Sequence, residues 1–102
     1  MDILKNLFAL DNKTALVTGA ATGIGKMAAS ALVEAGAHVL IASRKAQACE
    51  AVAEELNKMD AKGSAEGFAG DVSSEEGINA LVETVKSKTE KLDILINNAG
   101  VS

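Results

Sequence analysis

Proline, tyrosine and tryptophan are absent from this chain of 102 residues, phenylalanine occurs twice and cysteine once. A single thiol, Cys49, excludes an internal disulfide and fits a reducing compartment, so the expected location is cytoplasmic. No apolar run reaches the length of a membrane span, and Met1-Asp2 does not open a signal peptide. A membrane is therefore not an expected partner. Ten basic residues against fourteen acidic ones leave a net charge of −4. The basic residues are scattered, which argues against nucleic acid as a partner. What the chain does have is apolar content, 48% of its residues, enough for one domain with a real core. Alanine dominates that content, the bias expected where helices pack closely on a sheet.

Residues 13–25 read Lys-Thr-Ala-Leu-Val-Thr-Gly-Ala-Ala-Thr-Gly-Ile-Gly. Residues 13–18 have the look of a short strand covered on both faces, because Ala15, Leu16 and Val17 are consecutively apolar. The strand runs into Gly19, Gly23 and Gly25, and an amphipathic helical pattern follows at once. Ile24, Met27, Ala28, Ala31, Leu32 and Ala35 recur every three or four residues, and Gly36 marks the stop. Strand, glycine turn and helix together suit a phosphate, since glycine admits a ligand to the backbone and the helix start presents unpaired N–H groups. A nucleotide-triphosphate loop does not fit. Gly19 lies one residue too far from Gly25-Lys26, and Met27 stands where a metal-binding hydroxyl is required. The spacing Gly-x-x-x-Gly-x-Gly also departs from the common dinucleotide fingerprint Gly-x-Gly-x-x-Gly. A purely structural turn would need one glycine rather than three.

Residues 2–10 carry Ile3, Leu4, Leu7 and Phe8 in a pattern of one or two helical turns. Beyond the first helix, residues 38–43 read as a second buried strand, with His38 at its exposed start. Residues 46–59 form a second helix with Cys49, Val52, Ala53 and Leu56 on one face, which makes Cys49 a small core side chain. Residues 63–70 are a weaker strand, followed by Asp71-Val72. Ser73 paired with Glu76 suggests a capping box for a third helix that keeps Ile78, Leu81, Val82 and Val85 together and ends near Glu90. A fourth strand, 92–96, runs into Asn97-Asn98-Ala99-Gly100. The order βαβαβαβ predicts an α/β fold: a Rossmann-like, doubly wound parallel sheet with helices on both faces. Right-handed crossovers give strand order 3-2-1-4, and ligands bind beyond the carboxyl ends of such strands. Those ends carry residues 19–25, Ser43-Arg44, Asp71-Val72 and 97–100.

Thr-Gly-x-x-x-Gly-Ile-Gly after the first strand and Asn-Asn-Ala-Gly after the fourth, with Asp-Val after the third, resemble the short-chain dehydrogenase/reductase family. The resemblance spans the whole chain but only the first half of a typical member. It implies a dinucleotide cofactor. Gly19 would make the turn, Thr22, Gly23 and Ile24 would line the pyrophosphate, and Gly25 would permit close packing of helix on strand. Asp71 would accept from the adenine amino group with Val72 flanking the ring. Asn98, with Ala99 and Gly100, would lie near the ribose and nicotinamide. The catalytic serine and the Tyr-x-x-x-Lys pair of the family are not among these residues.

Ser43 and Arg44 bear on which cofactor. NAD-binding loops place a carboxylate at the end of the second strand, whereas this chain has Ser43, then Arg44 and Lys45. A guanidinium can hold a 2′-phosphate through two parallel hydrogen bonds, so NADP is expected ahead of NAD. Thr22 stands where many relatives add a second basic residue.

Two functions follow. One is the NADP-binding part of a reductase or dehydrogenase acting on a small carbonyl or alcohol substrate, with similarity to 3-oxoacyl reductases of the rhamnolipid type and to sugar or polyol dehydrogenases. The other is a nucleotide-binding or association module without turnover. The chain is expected to be a domain cut short before the catalytic half and, by itself, inactive. The fourth strand would then lie at a sheet edge, which invites a homo-oligomer or a second polypeptide that completes the fold.

Overall fold

The computed structural model describes residues 9–20 and 23–98. Within them the chain alternates strand and helix throughout: β1 (Thr14–Thr18), α1 (Gly23–Glu34), β2 (His38–Ser43), α2 (Ala46–Asn57), β3 (Ser64–Ala69), α3 (Glu75–Lys88) and β4 (Ile94–Asn97). The strands form one parallel sheet in the order β3-β2-β1-β4, as the crossover argument requires. The helix expected over residues 2–10 falls almost wholly outside the described residues. Among those described, no helix is long and apolar enough to cross a membrane.

Alternation along the inner strands splits the core in two. Ala15, Val17, Val39 and Ile41 face α1 and α2, where they meet Ala29, Val33, Cys49, Val52, Ala53 and Leu56. Leu16, Leu40 and Ala42 face the other way and meet Leu81 and Val85 of α3. Runs apolar at every position, as in Val39-Leu40-Ile41-Ala42, are what a strand sandwiched between helices demands.

Two local expectations are corrected. The buried line of α1 is Gly25, Ala29 and Val33, while Ile24 and Met27 are 75% and 71% exposed. The helix touches the sheet through its smallest residues, and this close seating turns the larger side chains outward. The cap of α3 is Ser74, whose hydroxyl accepts from the Gly77 N–H at 3.0 Å. Ser73 is taken instead by Asp71, to which it donates both N–H and O–H. In β4, at the edge of the sheet as expected, Leu95 is 60% exposed, because the buried residues of α3 seat over β1 and β2. Lys88 at the end of α3 pairs with Glu66 of β3 and lies over the Phe68 ring, 5.2 Å from its centre.

The two sheet edges differ. At β3 the Asn57 side chain takes both backbone groups of Ala65, donating to its carbonyl at 2.8 Å and accepting its N–H at 2.7 Å. At the other edge Asp93 lengthens the β1–β4 ladder. Its N–H donates to the Thr14 carbonyl, and its carboxylate accepts the Thr14 N–H, both at 2.9 Å. That N–H, more than any other influence, holds the Asp93 carboxyl below the ordinary carboxylate value, and Lys91 helps. The unfolded chain therefore takes up this proton first as pH falls. The stability contributed by Asp93 is present above the ordinary value and is lost on acidification through the lowered one. Asp93→Asn should accordingly flatten the fall of the urea midpoint between roughly pH 5 and pH 2. Parallel curves for the two proteins would show that the ladder contact carries no charge-dependent stability.

Candidate functional site

All four carboxyl ends of the parallel strands lie on one side of the sheet, and they open onto a cavity of about 1150 Å³. Thr18 and Gly19 come from β1, residues 42–45 from β2, residues 70–73 from β3, and Asn97 and Asn98 from β4. Leu16, Leu81 and Val85 form an apolar floor that continues into the half-exposed Ile78, Val82 and Leu95.

The β1 end is built around glycine. Gly19 has φ +69° and donates its N–H to the Ala42 carbonyl at 2.9 Å, which ties the loop to β2. Gly23 opens α1 with φ +61°, a conformation L side chains rarely adopt, and a Cβ placed there would meet nothing within 4 Å. Gly25 is the opposite case. A Cβ there would come 2.5 Å from the Gly19 carbonyl oxygen, 2.8 Å from the Ala20 Cα and 3.0 Å from Asn98 Nδ2. One glycine thus leaves room beside the helix start, and the other lets the helix approach the loop.

Asn98 locks the β4 end onto β1. Its N–H reaches the Thr18 carbonyl and Oγ1, both at 3.2 Å, and its Nδ2 donates to the Gly19 carbonyl at 3.3 Å. Thr18 Oγ1 donates to Asn97 Oδ1 at 2.7 Å. At the β3 end, the Ser73 hydroxyl, its N–H and then the Arg44 charge hold the Asp71 carboxyl below its ordinary value. Asp71 is an ionised acceptor at neutral pH, suited to an amino donor. Val72 packs on the second core.

The helix starts around the cavity are unequal. Neither α1 nor α2 has an acidic residue in its first turn, and α2 begins at Lys45 without a side-chain cap. α3 has both a cap and two acids, Glu75 and Glu76. Without acids in their first turns, α1 and α2 do not offset the positive charge of their starts, which suits an anion. Arg44 is exposed at the mouth, where its charge reaches Asp71, and the end of β2 itself carries no carboxylate.

Of the residues singled out from sequence, Gly19, Ser43, Arg44, Asp71, Val72 and Asn98 line this one cavity. Gly23, Ile24 and Gly25 stand at the start of α1, and Thr22, Ala99 and Gly100 lie outside the described residues. Thr18, Ser73 and Cys49 were missed as supporting residues. Asp-x-Ser at 71–73 was a readable turn signal, but the Thr18 and Cys49 contacts depend on tertiary placement. His38 sits at the far end of β2 against Ser64. Among the described residues no cluster of potential metal ligands occurs.

The family model for short chain dehydrogenase matches residues 13–102. The chain is 43% identical over 95 residues to the rhamnolipids biosynthesis 3-oxoacyl-[acyl-carrier-protein] reductase of Pseudomonas aeruginosa, covering 93% of this chain and 36% of that protein. It is 41% identical to D-threitol dehydrogenase of Mycolicibacterium smegmatis, with the same two coverages. The solved Pseudomonas aeruginosa RhlG/NADP active-site complex superposes with a TM-score of 0.86 at 43% identity, covering 93% of this chain and 37% of that one. The chain thus spans about a third of the length of these relatives. Over that span, strand order, glycine turn and sequence agree, and the chain belongs to the short-chain dehydrogenase family.

Proposed function

We propose that this chain is the NADP-binding part of an oxidoreductase. The observation that carries the reading is the pairing of an open glycine turn at Gly23 with a β2 end that offers Ser43 and Arg44 and no carboxylate. Gly19, Thr22, Gly23 and Ile24 hold the pyrophosphate at the start of α1. Ser43 and Arg44 hold the 2′-phosphate, and Asp71 and Val72 the adenine. Asn98, Ala99 and Gly100 lie against the ribose and nicotinamide. When bound, the nicotinamide supplies or accepts the hydride. The room at Gly23, the uncapped start of α2 and the lack of acids in the first turns of α1 and α2 fit an anionic group of this kind.

The substrate is a carbonyl or its alcohol. A 3-oxoacyl thioester is the first choice, following the Pseudomonas relative, and a polyol the second, following the threitol dehydrogenase. No tyrosine occurs in the 102 residues, so the acid implied by the family resemblance belongs to polypeptide not included in them. That polypeptide completes the domain, either in the same chain or across an oligomer interface at the β4 edge. The protein works in the cytoplasm. Binding without turnover is the second reading.

Arg44→Asp tests the cofactor assignment. One charge-assisted bond contributes about 1.5–3 kcal/mol, so calorimetry should show NADPH weakening relative to NADH by at least about tenfold. Unchanged NADPH affinity would remove Arg44 from the site.

A further inference from the structure

Three polar groups close on a single oxygen at the end of β2. Ser43 Oγ accepts the Lys45 N–H at 3.1 Å and lies 3.0 Å from Cys49 Sγ. The only other bond open to it, donation to the Lys45 carbonyl, is long at 3.5 Å. Cys49 is fully buried on the inner face of α2, one turn below the mouth where Arg44 is exposed. A thiol in that position does not meet a ligand. Its sulfur lies beside the hydroxyl of Ser43, which lines the cavity.

We propose that Cys49 is a positioning residue for cofactor selectivity: its thiol and the Lys45 N–H occupy the Ser43 oxygen, so that the serine proton points into the cavity towards a phosphate. The inference rests on the NADP reading above. A hydroxyl has one proton and two lone pairs. With the Lys45 N–H on one lone pair and the Cys49 S–H on the other, the proton has no partner inside the turn of comparable quality. The alternative polarity, with serine donating to sulfur, loses once a phosphate arrives. Thiol sulfur is a weak acceptor, and an ionised phosphate oxygen a strong one. The Lys45 carbonyl accepts the Cys49 backbone N–H at 3.1 Å. With the S–H turned to Oγ, the two bonds in series polarise each other. A cofactor with a bare ribose hydroxyl gains much less, since hydrogen bonds to charged groups are about twice as strong as neutral ones. The effect is thus on choice of cofactor, not on dinucleotide binding as such.

The test compares Cys49→Ala, which removes the donor, with Cys49→Ser, which keeps one, by titrating the chain with NADPH and with NADH. Thermal melts accompany each variant. Cys49→Ala should weaken NADPH by about three- to tenfold and leave NADH unchanged, and Cys49→Ser should restore the difference. In a Ser43→Ala background, Cys49→Ala should have no further effect on NADPH. Equal weakening of both cofactors would make Cys49 a packing residue, and a Cys49→Ser protein that melts normally yet binds like Cys49→Ala would reject the donor role. Arg44→Ala separates the two levels of argument. If it weakens NADPH selectively and Cys49→Ala does not, this inference fails alone. If neither changes the preference, the NADP reading fails with it.

Discussion

Gly23→Val is expected to abolish NADPH binding, weakening it by more than about a hundredfold, while the chain remains folded. The two halves of that expectation come from different facts about one residue. In the protein alone, a Cβ at position 23 meets no atom within 4 Å, so there is no steric penalty from the fold itself. The cost is conformational, because Gly23 has φ +61° and a residue with a Cβ loses roughly 1–2 kcal/mol there, somewhat more when β-branched. A domain of this size tolerates a loss of that order, though it uses a sizeable share of the margin. On the proposed reading, the same open space takes the pyrophosphate at the start of α1, and a branched side chain would fill it. Titration with NADPH, together with a urea melt, separates the two effects. Retained affinity would mean that the anion does not sit at this turn.

Gly25→Ala should do the reverse, lowering stability first and binding second. Its Cβ would stand 2.5 Å from the Gly19 carbonyl oxygen and 2.8 Å from the Ala20 Cα, far inside contact distance. Neither is the loose end of a side chain. The helix must lift from the loop or the loop must shift, and overpacking of this kind costs about 1–3 kcal/mol, occasionally more. Alanine's better helix propensity, worth up to about 1 kcal/mol over glycine, offsets only part of it. Asn98 Nδ2, 3.0 Å from the new methyl, would be displaced from the Gly19 carbonyl at the same time, so the tie between β1 and β4 weakens as well. The urea midpoint should fall clearly below that of the parent. A Gly25→Ala protein as stable as its parent would mean that α1 is not seated as closely as the structure has it.

The contrast between these glycines also shows where sequence reading succeeds and where it stops. Buried strands were legible in residues 15–17 and 39–42, because only a strand covered on both faces is apolar at every position. The α2 face was legible because Cys49, Val52, Ala53 and Leu56 recur at helical spacing and all four are buried. Together with the handedness of crossovers, that was enough for the 3-2-1-4 order and for naming the four loops that meet. The face of α1 was not legible, since hydrophobic periodicity weighs side chains and this contact is made by the lack of one. Ile24 and Met27 carried the pattern and lie outside. The cap of α3 was read as Ser73, and what moves it to Ser74 is Asp71, which claims Ser73. Contacts such as Ser43 with Cys49, or Thr18 with Asn97, join parts of the chain whose approach is set by the whole sheet.

The unequal helix ends have a consequence in time. α3 carries its own start and stop signals, with Ser74, Glu75 and Glu76 at one end and Lys86 and Lys88 at the other. Such a segment gains helical order from local interactions, before it has a sheet to lie on. α1 and α2 have no acid in the first turn and no base in the last, so their helicity waits for the strands beneath them. The formation of these two helices is therefore tied to distant parts of the chain having already met.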